Sequence, residues 1–177
     1  MLFRSEIVDL CKEIGRKPDV IVTNNFEDKI PYNPGIRELD VVIHMARHDQ
    51  LMDYFRMQSL YNPKDILITL HGYLRIIEPS VCTKYDMYNG HPGAIDLYPE
   101  LKGKDPQERA WNDRQKYSNI GSVVHKVVEG VDEGEVVSAV NYVNRVESLD
   151  EMYCKLKESS LQSWLYFLKR RLNENRN

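Results

Sequence analysis

The sequence has little of what marks several common classes of protein. It contains only three cysteines, Cys11, Cys82 and Cys154, and no CxxC pair. An odd, scattered set disfavours a disulfide scaffold or a cysteine-bound metal, and it favours a reducing, cytoplasmic location with the cysteines in packing roles. An excess of positive charge is also missing, since 24 Lys and Arg against 27 Asp and Glu give a formal net charge of −3. A protein that grips phosphate backbones carries the opposite sign, so we expect no nucleic-acid partner.

Segments that would divide or target the chain are also absent from the sequence. Charged residues follow Met1 so soon, at Arg4 and Glu6, that the N-terminus fits neither a signal peptide nor a membrane span. We therefore expect no membrane partner. No internal repeat, low-complexity run or linker stands out in the 177 residues, of which 42% are hydrophobic. We expect a single domain, 1–177.

Apolar periodicity predicts alternating helices and strands. Helical spacing favours helices at 3–14, 49–60 and 105–113, and a long helix after a capping box formed by Ser148 and Glu151. Short apolar or β-branched runs predict strands at 19–23, 41–43, 65–70, 122–128 and 136–143, with a weaker strand at 86–89. Residues 31–35 have turn composition. This order predicts an α/β, Rossmann-like fold, in which helices cover both faces of a mostly parallel sheet.

Three predicted loops combine glycine with a polar or titratable side chain directly after a strand. They span residues 71–75 (HGYLR), 89–93 (NGHPG) and 129–134 (EGVDEG). Ligands bind at the carboxyl ends of strands in such sheets. Glycine lets a ligand approach the backbone, His exchanges protons near neutral pH, and an Asn amide can donate to an oxyanion. The spacing alone also fits ordinary turns and a structural histidine, so both interpretations stay open at this point.

Four segments resemble the folate-dependent formyltransferase family. Asn89-Gly90-His91-Pro92-Gly93 is similar to the family's Asn-x-His-Pro-Ser/Gly motif. Residues 71–79 (HGYLRIIEP) resemble its Ala-Gly-Phe/Tyr-Met-Arg-Ile-Leu-Ser-Pro stretch, and 98–103 resemble the loop that follows the motif. Residues 121–134 resemble Gly-x-Thr/Ser-Val-His-x-Val-x-x-x-x-Asp-x-Gly. The segments occur in the family's order and cover most of the chain after about residue 60.

The resemblance implies a formyltransferase fold and an enzyme that uses 10-formyltetrahydrofolate as cosubstrate. The acceptor would be a primary amine of a nucleotide, an amino-sugar nucleotide or a similar small molecule. By position, Asn89, His91 and Asp132 fall on the family's catalytic residues. Asn89 and protonated His91 would stabilise the tetrahedral oxyanion, and Asp132 would stabilise charged His91 and help move protons through water.

The resemblance also implies a folate pocket on two loops, and we expect no metal. Its cofactor-binding positions are Tyr73, Leu74, Arg75, Ile76, Gly130 and Val131. We expect a ring nitrogen of His91 to lie within direct or single-water hydrogen-bond reach of Asp132, about 2.6–3.2 Å per step.

Two departures from the family pattern concern the acceptor. The family opens with a strand and a Gly-rich loop that cradles the acceptor's phosphate, whereas we expect this sequence to start inside the helix after that loop. The strands at 19–23 and 41–43 would then lack a neighbour, so we expect a homodimer there, a covering loop, or an internal Met start. In addition, the family's Ser-Leu-Leu-Pro after the His is here Gly93-Ala94-Ile95-Asp96, which adds a carboxylate and removes a proline.

Other interpretations remain beside the transferase. A formyltetrahydrofolate hydrolase would direct water onto the same donor, and a non-catalytic relative would bind folate without turnover. His125 is interpreted as structural because it lies on a predicted strand. His44 and His48 have the spacing of a helical metal pair, but His44 ends a predicted strand, which disfavours a metal site. Glu158 fits an exposed charge on the last helix.

Overall fold

The computed structural model describes residues 6–23, 34–57 and 62–174, so part of the predicted turn at 31–35 lies outside it. Within these ranges the elements are, in chain order, α1 (Glu6–Ile14), β1 (Val20–Thr23), α2 (Pro34–Glu38), β2 (Val42–Met45), α3 (His48–Met57), β3 (Leu67–Leu70), α4 (Pro79–Lys84), β4 (Asp86–His91), α5 (Pro106–Asn112), β5 (Asn119–Lys126), β6 (Val136–Val143) and α6 (Leu149–Glu174). Every predicted strand is present, most of them with bounds shifted by a few residues. No helix of the described part is both long and apolar enough to cross a membrane.

The strands pair both in parallel and antiparallel fashion. β1 and β2 form a parallel pair of their own. A second sheet has the order β3-β4-β5-β6, in which β3 and β4 are parallel and the other two pairings are antiparallel. The predicted α/β class is confirmed, and the antiparallel part has a simple cause. The connection between β5 and β6 spans only residues 127–135, which is shorter than the crossover of about a dozen or more residues that parallel neighbours need.

Helices cover both faces of the second sheet, as β4 shows. Adjacent residues of a strand point to opposite faces. Tyr88 packs with Trp164 and Phe167 of α6, whereas Met87 packs with Met52 of α3 and Val81 of α4. Trp164, Val81 and Met87 are fully buried. Burial of one such side chain contributes about 1.5–3 kcal/mol, so these two layers fix β4 firmly between them.

A buried carboxylate ties the first helix to the last. Glu6 of α1 is only 1% exposed. Its Oε2 accepts a hydrogen bond of 2.7 Å from Ser160 Oγ of α6, and its Oε1 lies 2.9 Å from His71 Nδ1 at the end of β3. Because a buried carboxylate needs such partners, α1, α6 and β3 are held together at this point.

The pair of β1 and β2 presents an apolar face. Val20, Val22 and Val42 are 45%, 44% and 56% exposed. Ile21 points the other way, onto the cluster formed by the first two helices and their neighbours. Within the described ranges no third strand joins this pair. Whether a homodimer, a covering loop or an internal Met start accounts for this face stays a prediction.

Two short helices were not predicted from the sequence. α4 begins at Pro79, a favourable first helical position, and extends for only 6 residues. α2 extends for 5. Neither is long enough to show a 3.6-residue apolar repeat, which is the signal that identified the longer helices.

Candidate active site

Asn89 and His91 lie on one face of β4, near its carboxyl end. The sequence placed both in a loop after a strand ending at 89, but β4 continues to His91. The cause is pairing: Gly90 and His91 are aligned with Val124 and Val123 of β5, which extends the strand. His91 is therefore buried, with 5% exposure, rather than on a surface loop. Alternation along the strand directs both side chains to the same side, with Gly90 facing Trp164 on the other.

Asp132 reaches this face from the turn between β5 and β6. It adopts a left-handed backbone conformation, φ 53°, which Asp tolerates better than most residues. Its Oδ2 lies 3.1 Å from His91 Nδ1 and accepts a hydrogen bond of 2.9 Å from the Gly103 amide. The distance between His91 and Asp132 confirms the expected geometry, although 41 positions of sequence separate the two residues.

Two histidines, not one, contact the Asp132 carboxylate. His125 Nε2 lies 3.2 Å from Asp132 Oδ1, and the Asp132 side chain is only 12% exposed. Burial alone would raise the pKa of Asp132. Hydrogen bonds from His125, His91 and the Gly103 amide outweigh it and hold that pKa well below its usual range. Asp132 is thus ionised at neutral pH and acts only as an acceptor.

The His91 ring is held between two acceptors. Its Nε2 lies 3.0 Å from the carbonyl oxygen of Leu101, while Nδ1 faces Asp132. A carbonyl and an ionised carboxylate can only accept, so the ring satisfies both contacts by donating from both nitrogens. This arrangement fits the protonated His91 that the resemblance implies.

The Asn89 side chain contacts His125, which in turn contacts Asp132. Asn89 Nδ2 lies 3.3 Å from His125 Nε2, and the two residues are aligned on β4 and β5. His125 Nδ1 lies 3.0 Å from its neighbour's carbonyl oxygen. Asn89 Oδ1 is buried and has no hydrogen-bond partner among the described residues. A half-turn of the amide places Oδ1 towards His125 and leaves Nδ2 as a donor free for another group.

The sequence interpretation of His125 as purely structural missed these contacts. His125 is 3% exposed and lies on a strand, as expected, but its ring touches both Asn89 and Asp132. These contacts arise from the alignment of β4 with β5, which places position 125 opposite Asn89. Strand register of this kind is set by tertiary pairing, and one sequence does not reveal it.

The loops expected to bind folate lie at the edges of one apolar cluster. Tyr73 from the first loop and Val127 before the second pack on the cluster of Met52, Val81 and Met87. Three apolar side chains of these loops are strongly exposed: Leu74 at 88%, Ile76 at 69% and Val131 at 52%. Their roles stay a prediction.

A polar groove borders the first of these loops. It has a volume of about 390 Å³ and is lined by Arg47, His48, Asp49 and Arg75. His48 Nδ1 lies 2.5 Å from the Tyr73 hydroxyl, which ties the start of α3 to the loop. Two arginines against one aspartate give this groove a positive character suited to carboxylates or phosphates.

His71 does not join the candidate site. Its ring contacts Glu6 and Thr69 and lies 4.5 Å from the ring of Trp164, on the face opposite to Asn89. His44 lies on β2 and does not pair with His48, whose ring contacts the Tyr73 hydroxyl. Among the described residues, no group of three or more His, Cys, Asp or Glu side chains is arranged to hold a metal ion.

Comparison with known proteins relates this arrangement to one family. A family model described as formyl transferase matches residues 14–166. A phosphoribosylglycinamide formyltransferase of Dictyostelium discoideum is 31% identical over 105 residues, which are 54% of this chain and 51% of that protein. The chain therefore spans about half the length of this curated relative.

Solved structures show the same fold at low sequence identity. Phosphoribosylglycinamide formyltransferase from Streptococcus pneumoniae TIGR4 matches with a TM-score of 0.75 and 19% identity, covering 95% of this chain and 93% of that one. A formyltetrahydrofolate deformylase from Pseudomonas putida KT2440 matches with a TM-score of 0.69 and 16% identity, covering 96% of this chain and 62% of that one. At these identities the likeness establishes the fold.

Proposed function

The chain belongs to the formyl transferase family, and on that basis we propose that it transfers a formyl group from 10-formyltetrahydrofolate to a primary amine. The observation that carries the proposal is the buried contact of 3.1 Å between His91 and Asp132. These residues come from distant segments, both singled out by the family motifs, and the fold brings them together beside Asn89.

Attack of the amine on the formyl carbon places a negative charge on the formyl oxygen. The turned Asn89 amide is a donor suited to that oxygen, and removing one such donor typically costs about 2.7–4 kcal/mol of barrier. Both N–H groups of protonated His91 already donate to Asp132 and to the Leu101 carbonyl, so His91 contributes its positive charge to stabilising the oxyanion. Asp132 stabilises the charge on His91. The amine gives up a proton as the new C–N bond forms, and N10 of the folate takes one as the old C–N bond breaks. Ionised Asp132 would accept a hydrogen bond from a water molecule and so orient it to move that proton.

The donor is proposed to lie against the exposed apolar side chains of Leu74, Ile76 and Val131. A flat pterin ring gains stability from burying such surface and from hydrogen bonds to loop backbone groups. The glutamyl carboxylates of folate would then extend towards the groove of Arg47 and Arg75, where charge-assisted hydrogen bonds are strong. The apolar loops and the basic groove are contiguous at Arg75.

For the acceptor we propose an amine of the kind named in the relatives, phosphoribosylglycinamide, with amino-sugar nucleotides as the other class to test. The experiment is a screen of ribonucleotide amines and amino-sugar nucleotides against labelled 10-formyltetrahydrofolate. Transfer of label to one amine, lost in His91→Gln, supports the proposal. Transfer to none of them, with intact donor binding, contradicts it.

The second candidate is hydrolysis of the same donor. It is favoured by the match to the formyltetrahydrofolate deformylase, which covers 96% of this chain. Incubation with 10-formyltetrahydrofolate and no amine separates the two functions. Steady release of formate identifies the hydrolase, whereas no formate without an amine, together with a formylated product once an amine is added, excludes it. Tight donor binding without either product would identify a non-catalytic relative.

A further inference from the structure

Arg109 of α5 holds three successive carbonyl groups of the chain. Its Nη1 donates to the carbonyl oxygen of Glu100 at 2.6 Å, and its Nη2 donates to those of Leu101 at 2.9 Å and Lys102 at 2.7 Å. Only a planar guanidinium has enough donors in a fixed fork to do this. The mechanism proposed above makes no use of this side chain.

The segment that Arg109 holds is the one on which the candidate site rests. The Leu101 carbonyl that accepts from Arg109 also lies 3.0 Å from His91 Nε2. Two residues further, the Gly103 amide donates to Asp132 at 2.9 Å. Residues 100–103, named here the anchor segment, thus contact both members of the His91–Asp132 pair.

Burial of the Leu101 side chain, which is 1% exposed in the core cluster, fixes the middle of the anchor segment, but few other polar contacts fix the direction of its carbonyl groups. It contains one turn of 3-10 helix, Pro99–Leu101, closed by backbone hydrogen bonds of 2.9 and 3.2 Å from Leu101 and Lys102. An ion pair between Glu100 and Lys116, 2.8 Å, lies at the surface and contributes little. Without Arg109, the Glu100 and Lys102 carbonyls lose this donor and the Leu101 carbonyl loses one of its two donors, so the segment can rotate and carry the acceptor of His91 with it.

We propose that Arg109 is a positioning residue for His91, acting through the Leu101 carbonyl. This inference rests on the proposed formyl transfer for its kinetic consequence, whereas its structural consequence for His91 is independent of that function. Arg109 fixes the position and orientation of the imidazole ring, and therefore the place of its positive charge relative to the formyl oxygen as negative charge develops there. A displacement of about 1 Å at a reacting group can cost about 10²-fold in rate.

The test compares Arg109→Gln and Arg109→Lys with a matched control, Arg114→Gln. Arg114 lies just beyond α5, stacks on the ring of Trp111 with its charge 4.0 Å from the ring centre, and loses the same charge in the control. The first readout is the ring ¹⁵N–¹H spectrum of His91 in the full chain, assigned by comparison with His91→Gln. We expect the Nε2–H signal to shift and to exchange faster with solvent in Arg109→Gln and in Arg109→Lys, which can reach fewer carbonyls, and to stay unchanged in Arg114→Gln.

The second readout separates kcat from KM. In Arg109→Gln we expect kcat to fall about 10–100-fold with the KM of the donor within about twofold, because donor binding does not involve the anchor segment. Arg109→Lys should recover part of kcat. A merely structural role would lower the amount of folded protein and leave the kcat of the folded fraction unchanged.

The outcomes are distinct for the two proposals. An unchanged His91 signal in both Arg109 variants overturns the positioning role. If Arg109→Gln does not fold, Arg109→Lys alone decides by the same signal. If the wild-type protein transfers formyl to no amine while its His91 signal depends on Arg109, the proposed function fails and the positioning role stands.

Discussion

Replacement of Asp132 by Asn removes one charge and preserves shape, so it tests whether the carboxylate serves the chemistry. The Asn oxygen can keep the hydrogen bonds from His91 and the Gly103 amide, and its nitrogen can donate to a neutral His125. Asn also tolerates the left-handed conformation of this position. The contacts therefore survive, while charged His91 loses its counter-ion.

The size of the effect follows from the geometry of the pair. With charge centres about 4.5 Å apart and an effective dielectric constant of about 20, the lost attraction is about 4 kcal/mol. Each ~1.36 kcal/mol of barrier corresponds to a factor of ten in rate, so kcat should fall about 10³-fold. Asp40→Asn is the matched control, because Asp40 has φ 51° and a fully exposed side chain.

The assay is single-turnover formyl transfer at saturating donor, with circular dichroism to confirm the folded fraction of each variant. Some loss of stability is expected, since the low pKa of Asp132 contributes to folding, so the assay temperature must lie well below the unfolding midpoint. Asp132→Asn with a rate within tenfold of wild type would refute the role of the carboxylate. An equal loss in Asp40→Asn would show that the effect is not specific.

Four further predictions concern other parts of the molecule. Asp132 has a lowered pKa in the folded state, so its carboxylate stabilises the fold fully above about pH 4, and this stabilisation is lost progressively as the pH falls below that. The difference in free energy of unfolding between wild type and Asp132→Asn, measured with urea, should therefore become smaller in acid. Arg75→Ala should raise the KM of the donor about 10-fold at nearly constant kcat, and an unchanged KM would argue against a carboxylate in the groove. In the same urea assay, Gly134→Ala should lower the free energy of unfolding by more than about 2 kcal/mol, because a Cβ there overlaps the carbonyl of Lys126. Gly15→Ala is the control: its Cβ meets open space, so only the positive φ is unfavourable and the loss should be about 1–2 kcal/mol. If the exposed valines of β1 and β2 form a homodimer, sedimentation velocity should show a dimer, and a wild-type monomer rules it out.

The sequence predicted the order of the main elements and the meeting of His91 with Asp132. The first succeeded because α3, α6 and the apolar strands carry clear periodicity. The second succeeded through resemblance, because nothing local brings residues 91 and 132 together. Whether neighbouring strands are parallel or antiparallel was only partly predictable. The short connection between β5 and β6 did indicate an antiparallel pair.

Other features depend on pairing that one sequence does not show. The end of β4 at His91 is set by its alignment with Val123, and the contact of His125 with Asn89 is set by the same register. The role of Arg109 was equally hidden. From sequence alone, an arginine on an amphipathic helix is interpreted as a solvated charge. Its contacts with three carbonyl groups form only when the turn before α5 folds against it.

The contact between Glu6 and Ser160 has a consequence for synthesis of the protein. The two residues are 154 positions apart, so α1 leaves the ribosome long before α6. His71 is made early, but the Ser160 partner of the Glu6 carboxylate is supplied only by α6, so α1 gains its full set of contacts only when the last helix has been made. A nascent or truncated chain without α6 keeps its N-terminal part open to chaperones and proteases. The buried carboxylate thus makes docking of the first helix depend on completion of the last one.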